Sequence, residues 1–123
     1  HYSSRRQRQM CIRDRKKAVS LNIQVSFFQS NIEGELVNEI QKSKNKQDGI
    51  ILNAGAYTHT SIAIMDALIA TQVPTIEVHI SNIYHRESFR HVSYISKATI
   101  GQICGFGIYG YSMALDAIIQ NNL

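Results

Sequence analysis

From residue 23 onward, short apolar runs alternate with amphipathic stretches, and that rhythm predicts the elements. IQVSFF (23–28) alternates apolar and polar positions and predicts a strand, closed by the polar turn QSN. Over 33–44, Leu36, Val37 and Ile40 fall on one helical face, with Asn31 as the expected N-cap. GIILN (49–53) predicts a short buried strand that ends in AGAYTHTS. SIAIMDALIATQ (61–72) has a helical apolar face, with Thr60 expected to cap it. Pro74 opens a third strand, TIEVHIS (75–81), and residues 87–90 predict one helical turn. ATIGQICGFG (98–107) predicts a fourth strand, and 111–119 a closing helix entered through Gly110. Strands alternating with helices at this spacing predict an α/β fold, a doubly wound parallel sheet covered on both faces. Such sheets bind ligands beyond the carboxyl ends of their strands, where Asn53, His79 and Ser81 are expected to lie.

Composition changes this picture little. A chain of 123 residues, 44% hydrophobic and 18% charged, predicts one ordinary folded domain. No window approaches the ~20 apolar residues of a membrane span, and no apolar run follows the basic N-terminus as a secretory signal would require. Cys11 and Cys104 form no metal or redox spacing, so a cytoplasmic location is expected. Charge divides the chain. Residues 1–22 hold seven Arg/Lys and one Asp, net +6, whereas 23–123 hold six Lys/Arg and eight Asp/Glu, net −2. The basic segment has neither interleaved aromatics nor a helical apolar stripe. Neither a nucleic-acid nor a membrane partner is expected.

The candidate chemistry gathers at the strand ends. Asn53 is either a turn residue satisfying its own backbone or an amide presented to a hydroxylated ligand. His59 belongs either to a helix start or to a ligand contact, and Asp66 either to a solvent-facing helix surface or to a subunit contact. Glu77 and His79 share a strand face by the two-residue period. A carboxylate there orients the imidazole, which is the wiring of a general acid or base, or of a buried structural pair. Beyond them the Ile80 and Ser81 amides leave the strand free to hold a carboxylate, with Arg86 or Arg90 adding positive charge. Other patterns fail. Ser61 has no G-x-S-x-G context, and histidines 59, 79, 85 and 91 lack zinc spacing, so no metal is expected. The glycines of GFGIYG (105–110) read as tight strand–helix packing rather than a phosphate loop.

FFQSNIEGELVNEIQ (27–41), ILNAGAYTHTSIAIMDAL (51–68), PTIEVHISNIYHRESFRHVSYIS (74–96) and GFGIYGYSMAL (105–115) resemble type II 3-dehydroquinate dehydratase, in order, from residue 23 to about 119. The resemblance implies a flavodoxin-like fold, assembled as a dodecamer of trimers. It also implies a shikimate-pathway lyase that takes water from 3-dehydroquinate to give 3-dehydroshikimate through an enolate, without metal, cofactor or covalent intermediate. By position, His79 resembles the general acid and Glu77 its orienting partner. Asn53 resembles the residue that binds substrate and an ordered water. His59 and Arg90 match hydroxyl-binding positions, and the Ile80 and Ser81 amides match the carboxylate cradle. Asp66 matches a position reaching a neighbouring subunit's site, and Arg86 matches an Arg of the same motif.

Residues 1–22 depart from the pattern. The family's GPNLN-like first strand and its loop Arg are not in this sequence, and RQMCIRDR resembles translated sequencing-adaptor read-through with no helical periodicity. Two units are therefore expected: an atypical basic segment over 1–22 and a type II dehydroquinase-like domain over 23–123. Tyr2 stands 27 residues before Gln29, the spacing of the family's catalytic Tyr, and is taken as the proton acceptor, although Ser3 replaces the usual Gly. A sheet lacking its central first strand is expected to leave neighbouring edges unpaired. The alternative is a catalytically incomplete ligand-binding or assembly module of the same fold.

Overall fold

The computed structural model describes residues 2–122; the side chains of residues 2–7 and of Met10 lie outside that description. The principal elements are α1 (Tyr2–Ser20), α2 (Glu33–Lys42), β1 (Ile50–Leu52), α3 (Ile62–Thr71), β2 (Thr75–His79), β3 (Gly101–Cys104) and α4 (Tyr109–Asn121). Four 3-10 turns, Gly55–His59, Ile83–His85, Ser88–His91 and Ile95–Ala98, lie in the connections.

The strands form one parallel sheet in the order β1-β2-β3. β2 is central and every one of its residues is buried. Because successive side chains point to opposite faces, Ile76 and Val78 pack with Ala114, Ile103 and Ile118 under α4. The other face is covered by α2 and α3, where Ile40, Leu52, Ile64, Ala67, Leu68 and Ile95 make the larger core. Glu77 and His79 point to that second side, the expected shared face.

α3 begins at Ser61, not Thr60: the Ser61 hydroxyl accepts the Ile64 amide at 2.9 Å and is itself buried. At α2 the cap position is Ile32, not Asn31. Ser30 instead accepts the Ile32 amide at 3.0 Å and bonds Glu35. Gly110 does pack as the sequence predicts. A Cβ there would stand 3.2 Å from Val78 Cγ1 and 3.5 Å from Ile103 Cγ2, so glycine lets α4 start directly against the sheet.

Two expectations for the N-terminal third are corrected. Residues 23–28 form no strand. A strand exists only where its amides and carbonyls find a neighbour, and in the flavodoxin order 2-1-3-4-5 this segment's neighbour is a strand preceding it in the chain. Among the described residues none precedes it, and β1 is accordingly an edge. Conversely, residues 2–20 are helical despite their lack of periodicity. Arg, Lys and Gln favour helix without an apolar stripe, and no Gly or Pro interrupts them. The helix is anchored near its C-terminal end, where Ala18 and Asp14 are buried and Lys17 Nζ bonds Asp116 Oδ2 at 2.8 Å and the Ser112 carbonyl at 3.0 Å on α4.

Candidate active site

The connections leaving β1 and β2 enclose a cleft of about 350 Å³, lined by Asn53, Gly55, Ala56, His59, His79, Ile80, Ser81, Ile83, Arg86 and Arg90. It lies beyond the carboxyl ends of the strands, where doubly wound sheets bind ligands. Seven of the residues singled out from sequence meet here: Asn53, His59, His79, Ile80, Ser81, Arg86 and Arg90. The lining carries two guanidiniums and two imidazoles and no carboxylate, so the cleft suits a small anion with polar substituents.

Glu77 lies behind the lining, fully buried, with His79 beside it. His79 Nε2 bonds Glu77 Oε2 at 2.5 Å. Three further side chains converge on the same carboxylate. Ser93 Oγ donates at 3.0–3.1 Å, Ser96 Oγ donates to Oε1 at 2.8 Å, and Gln102 Nε2 donates to Oε2 at 2.8 Å. Gln102 reaches it because the β2–β3 register sets it directly opposite Glu77. Burial pushes the Glu77 carboxyl up, but the hydrogen bonds from His79, Gln102 and Ser96 and the His79 charge outweigh it and hold the carboxyl below its usual range. Nε2 being engaged, Nδ1 is the His79 nitrogen left to serve the cleft.

His59 is fixed similarly. Its Nδ1 lies 2.7 Å from the Val92 carbonyl. A carbonyl only accepts, so Nδ1 donates and Nε2 remains for a ligand. The His59 and His79 rings stand nearly parallel, 6.3 Å between centroids. Asn53 accepts the Gly55 amide on Oδ1 at 3.1 Å and donates from Nδ2 to the Tyr111 hydroxyl at 2.8 Å. Gly55 adopts φ +57, a left-handed conformation that glycine takes without strain.

Past β2, the carbonyls of His79 and Ile80 accept the Gly105 and Gly107 amides at 3.2 and 3.0 Å. Among the described residues, the Ile80 and Ser81 amides have no acceptor and so remain available to an anion. Gly105 has φ +95, and a Cβ there would come 3.3 Å from the Asn82 Cβ, which keeps this crossing narrow. Arg90 Nε pairs with Glu87 Oε2 at 2.9 Å, so Glu87 steadies Arg90 rather than Arg86.

One singled-out residue is not brought to the cleft. Asp66 stands exposed on the outer side of α3. Tyr2 begins α1, and its side chain lies outside the described residues. Sequence reasoning missed Ser93, Ser96, Gln102 and Tyr111. Only Gln102 left a signal, as a polar residue at a strand position where apolar side chains alternate.

A family model described as class II dehydroquinase matches residues 1–119. The 3-dehydroquinate dehydratase of Dinoroseobacter shibae is 53% identical over 103 residues, 84% of this chain and 69% of that protein. The 3-dehydroquinate dehydratase of Synechocystis sp. is 54% identical over 106 residues, 86% of this chain and 70% of that protein. The crystal structure of the type II dehydroquinase from Butyrivibrio crossotus superposes with a TM-score of 0.89 at 43% identity, covering 91% of this chain and 79% of the other. That from Propionibacterium acnes gives 0.86 at 35% identity, with 90% and 77% covered. The chain belongs to the class II dehydroquinase family.

Proposed function

We propose that the protein is a lyase that dehydrates 3-dehydroquinate to 3-dehydroshikimate in the shikimate pathway, the route to chorismate and the aromatic amino acids. The activity is that named for the relatives it matches. The observation that carries it here is the Glu77–His79 pair opening into a cationic cleft.

In this reading a base removes the C2 proton and the electrons move onto the ketone oxygen as an enolate. Collapse of the enolate breaks the C–O bond of the departing hydroxyl, which takes a proton from His79 Nδ1 and leaves as water. Glu77, held ionised by four side chains, keeps Nε2–H oriented and balances the charge that the imidazole carries. A positioned acid of this kind contributes about 10²–10⁴-fold to rate. Asn53 binds the substrate and an ordered water at the enolate, where a fixed donor is worth more than in bulk solvent. The Ile80 and Ser81 amides and Arg86 hold the carboxylate, while His59 Nε2 and Arg90 take ring hydroxyls.

Tyr2 is assigned as the base by its spacing from Gln29. Its test is Tyr2→Phe, which is expected to abolish product while leaving binding of 3-dehydroquinate in place. A variant as fast as the parent chain would place the base elsewhere. Binding without turnover by the parent chain would favour a ligand-binding module of the same fold. The protein is further assigned to the cytoplasm; among the described residues no helix is long and apolar enough to cross a membrane. We also assign self-association, as trimers built into a dodecamer, to the outer side of α3. There Asp66 lies between exposed Ile62 and Ile69, a pattern suited to a partner subunit.

A further inference from the structure

Asn53 has one acceptor oxygen and two N–H donors on its side chain. The Gly55 amide can only donate, so its 3.1 Å bond identifies the atom it meets as Oδ1. Nδ2 therefore faces the Tyr111 hydroxyl, 2.8 Å away, and one of its two hydrogens is used there. A single N–H is left for the cleft. If the amide were reversed, its oxygen would face the cleft and two N–H groups would confront each other at Gly55. Gly55 alone does not hold the amide against tilting, because a single hydrogen bond leaves rotation about its axis free. The Tyr111 bond removes that freedom.

The fold makes the contact specific. Tyr111 lies in the first turn of α4, one residue after Gly110, whose missing side chain lets the helix approach Val78 and Ile103. The Tyr111 ring packs with Ile76, Val78 and Ala114 on the α4 face of the sheet, and its hydroxyl reaches Asn53 at the end of β1. Burial raises the pKa of that hydroxyl above its usual value.

We infer that Tyr111 is a positioning residue: it fixes the Asn53 amide so that one N–H, and not the amide oxygen, is presented to a ligand oxygen in the cleft. Its role in the reaction rests on the reading of Asn53 as a substrate contact. Its effect on the amide does not.

The test uses the full chain and three forms: parent, Tyr111→Phe and Asn53→Ala. Phenylalanine keeps the ring and its packing, and far-ultraviolet circular dichroism checks the fold. The first readout is the ¹⁵N spectrum of the Asn53 side-chain amide. The parent is expected to show two well-separated proton resonances, and Tyr111→Phe to narrow that separation. The second is turnover of 3-dehydroquinate. Tyr111→Phe is expected to lose about five- to tenfold in kcat/KM, the worth of one neutral hydrogen bond, mostly in kcat because the enolate oxygen is where a misaligned donor is felt. Asn53 resonances indifferent to Tyr111→Phe would overturn the inference. So would parental turnover in Tyr111→Phe beside loss in Asn53→Ala, which leaves the reading of Asn53 intact. A separation that narrows in Tyr111→Phe, beside a parent chain without turnover, would uphold the positioning by Tyr111 and sink the assigned reaction instead.

Discussion

Gln102 on β3 stands opposite Glu77 on β2 in the parallel register, and its Nε2 donates to the buried carboxylate at 2.8 Å. A fully buried carboxylate beside a single imidazole would be a costly arrangement. With Gln102, Ser93 and Ser96 also donating, both oxygens are satisfied and the charge is held beside His79.

The pair therefore sets a pH dependence of stability. Glu77 has a folded-state pKa depressed below the usual 4.5. The stability it contributes is fully present above that usual value, and is lost as pH falls below it through the folded value. Gln102→Leu removes a donor and raises the folded pKa toward the ordinary one. Its acid-unfolding midpoint, followed by circular dichroism, is expected to move to higher pH, with the loss relative to the parent chain largest near neutrality. An unmoved midpoint would mean that Gln102 does not support the charge.

Gly110→Val forces a side chain toward Val78 Cγ1 and Ile103 Cγ2, both within 3.5 Å of the Cβ position. Overpacking of this kind costs about 1–3 kcal/mol, and the helix start that carries Tyr111 must shift. Urea unfolding is expected to show a lower midpoint at unchanged slope. A midpoint equal to the parent's would show that α4 does not need this close approach.

Much of this architecture was legible in advance, for stated reasons. β1, β2, β3, α3 and α4 follow from apolar runs and helical faces whose partners lie within the same stretch of chain. The Glu77–His79 pairing follows from the strand period alone, and the cleft from the rule that places ligands beyond strand ends. What was not legible depends on distant partners. Residues 23–28 have the pattern of a strand, but a strand also needs a neighbour. Tyr111 sits 58 residues from Asn53, and Ser93 and Ser96 reach Glu77 from 3-10 connections that carry no periodic signal. α1 was hidden because helix propensity, rather than an apolar stripe, forms it.

Ile62 and Ile69, each about half exposed, flank Asp66 on the outer side of α3. Ile69→Asp places a second carboxylate beside Asp66 and is expected to lower the sedimentation coefficient toward that of a single chain. Asp66→Ala is expected to weaken association less and to lower kcat/KM. A coefficient unchanged in both variants would contradict the assignment of self-association to this helix.

In the proposed reaction His79, oriented by Glu77, supplies the proton for water elimination. The most direct measurement follows the conjugated enone by ultraviolet absorbance when 3-dehydroquinate is added to the parent chain and to His79→Ala. Enone formation by the parent is expected, with a kcat about 10²–10⁴-fold lower in the variant and KM changed far less. Equal rates in the two proteins, or no enone from the parent chain, would contradict it.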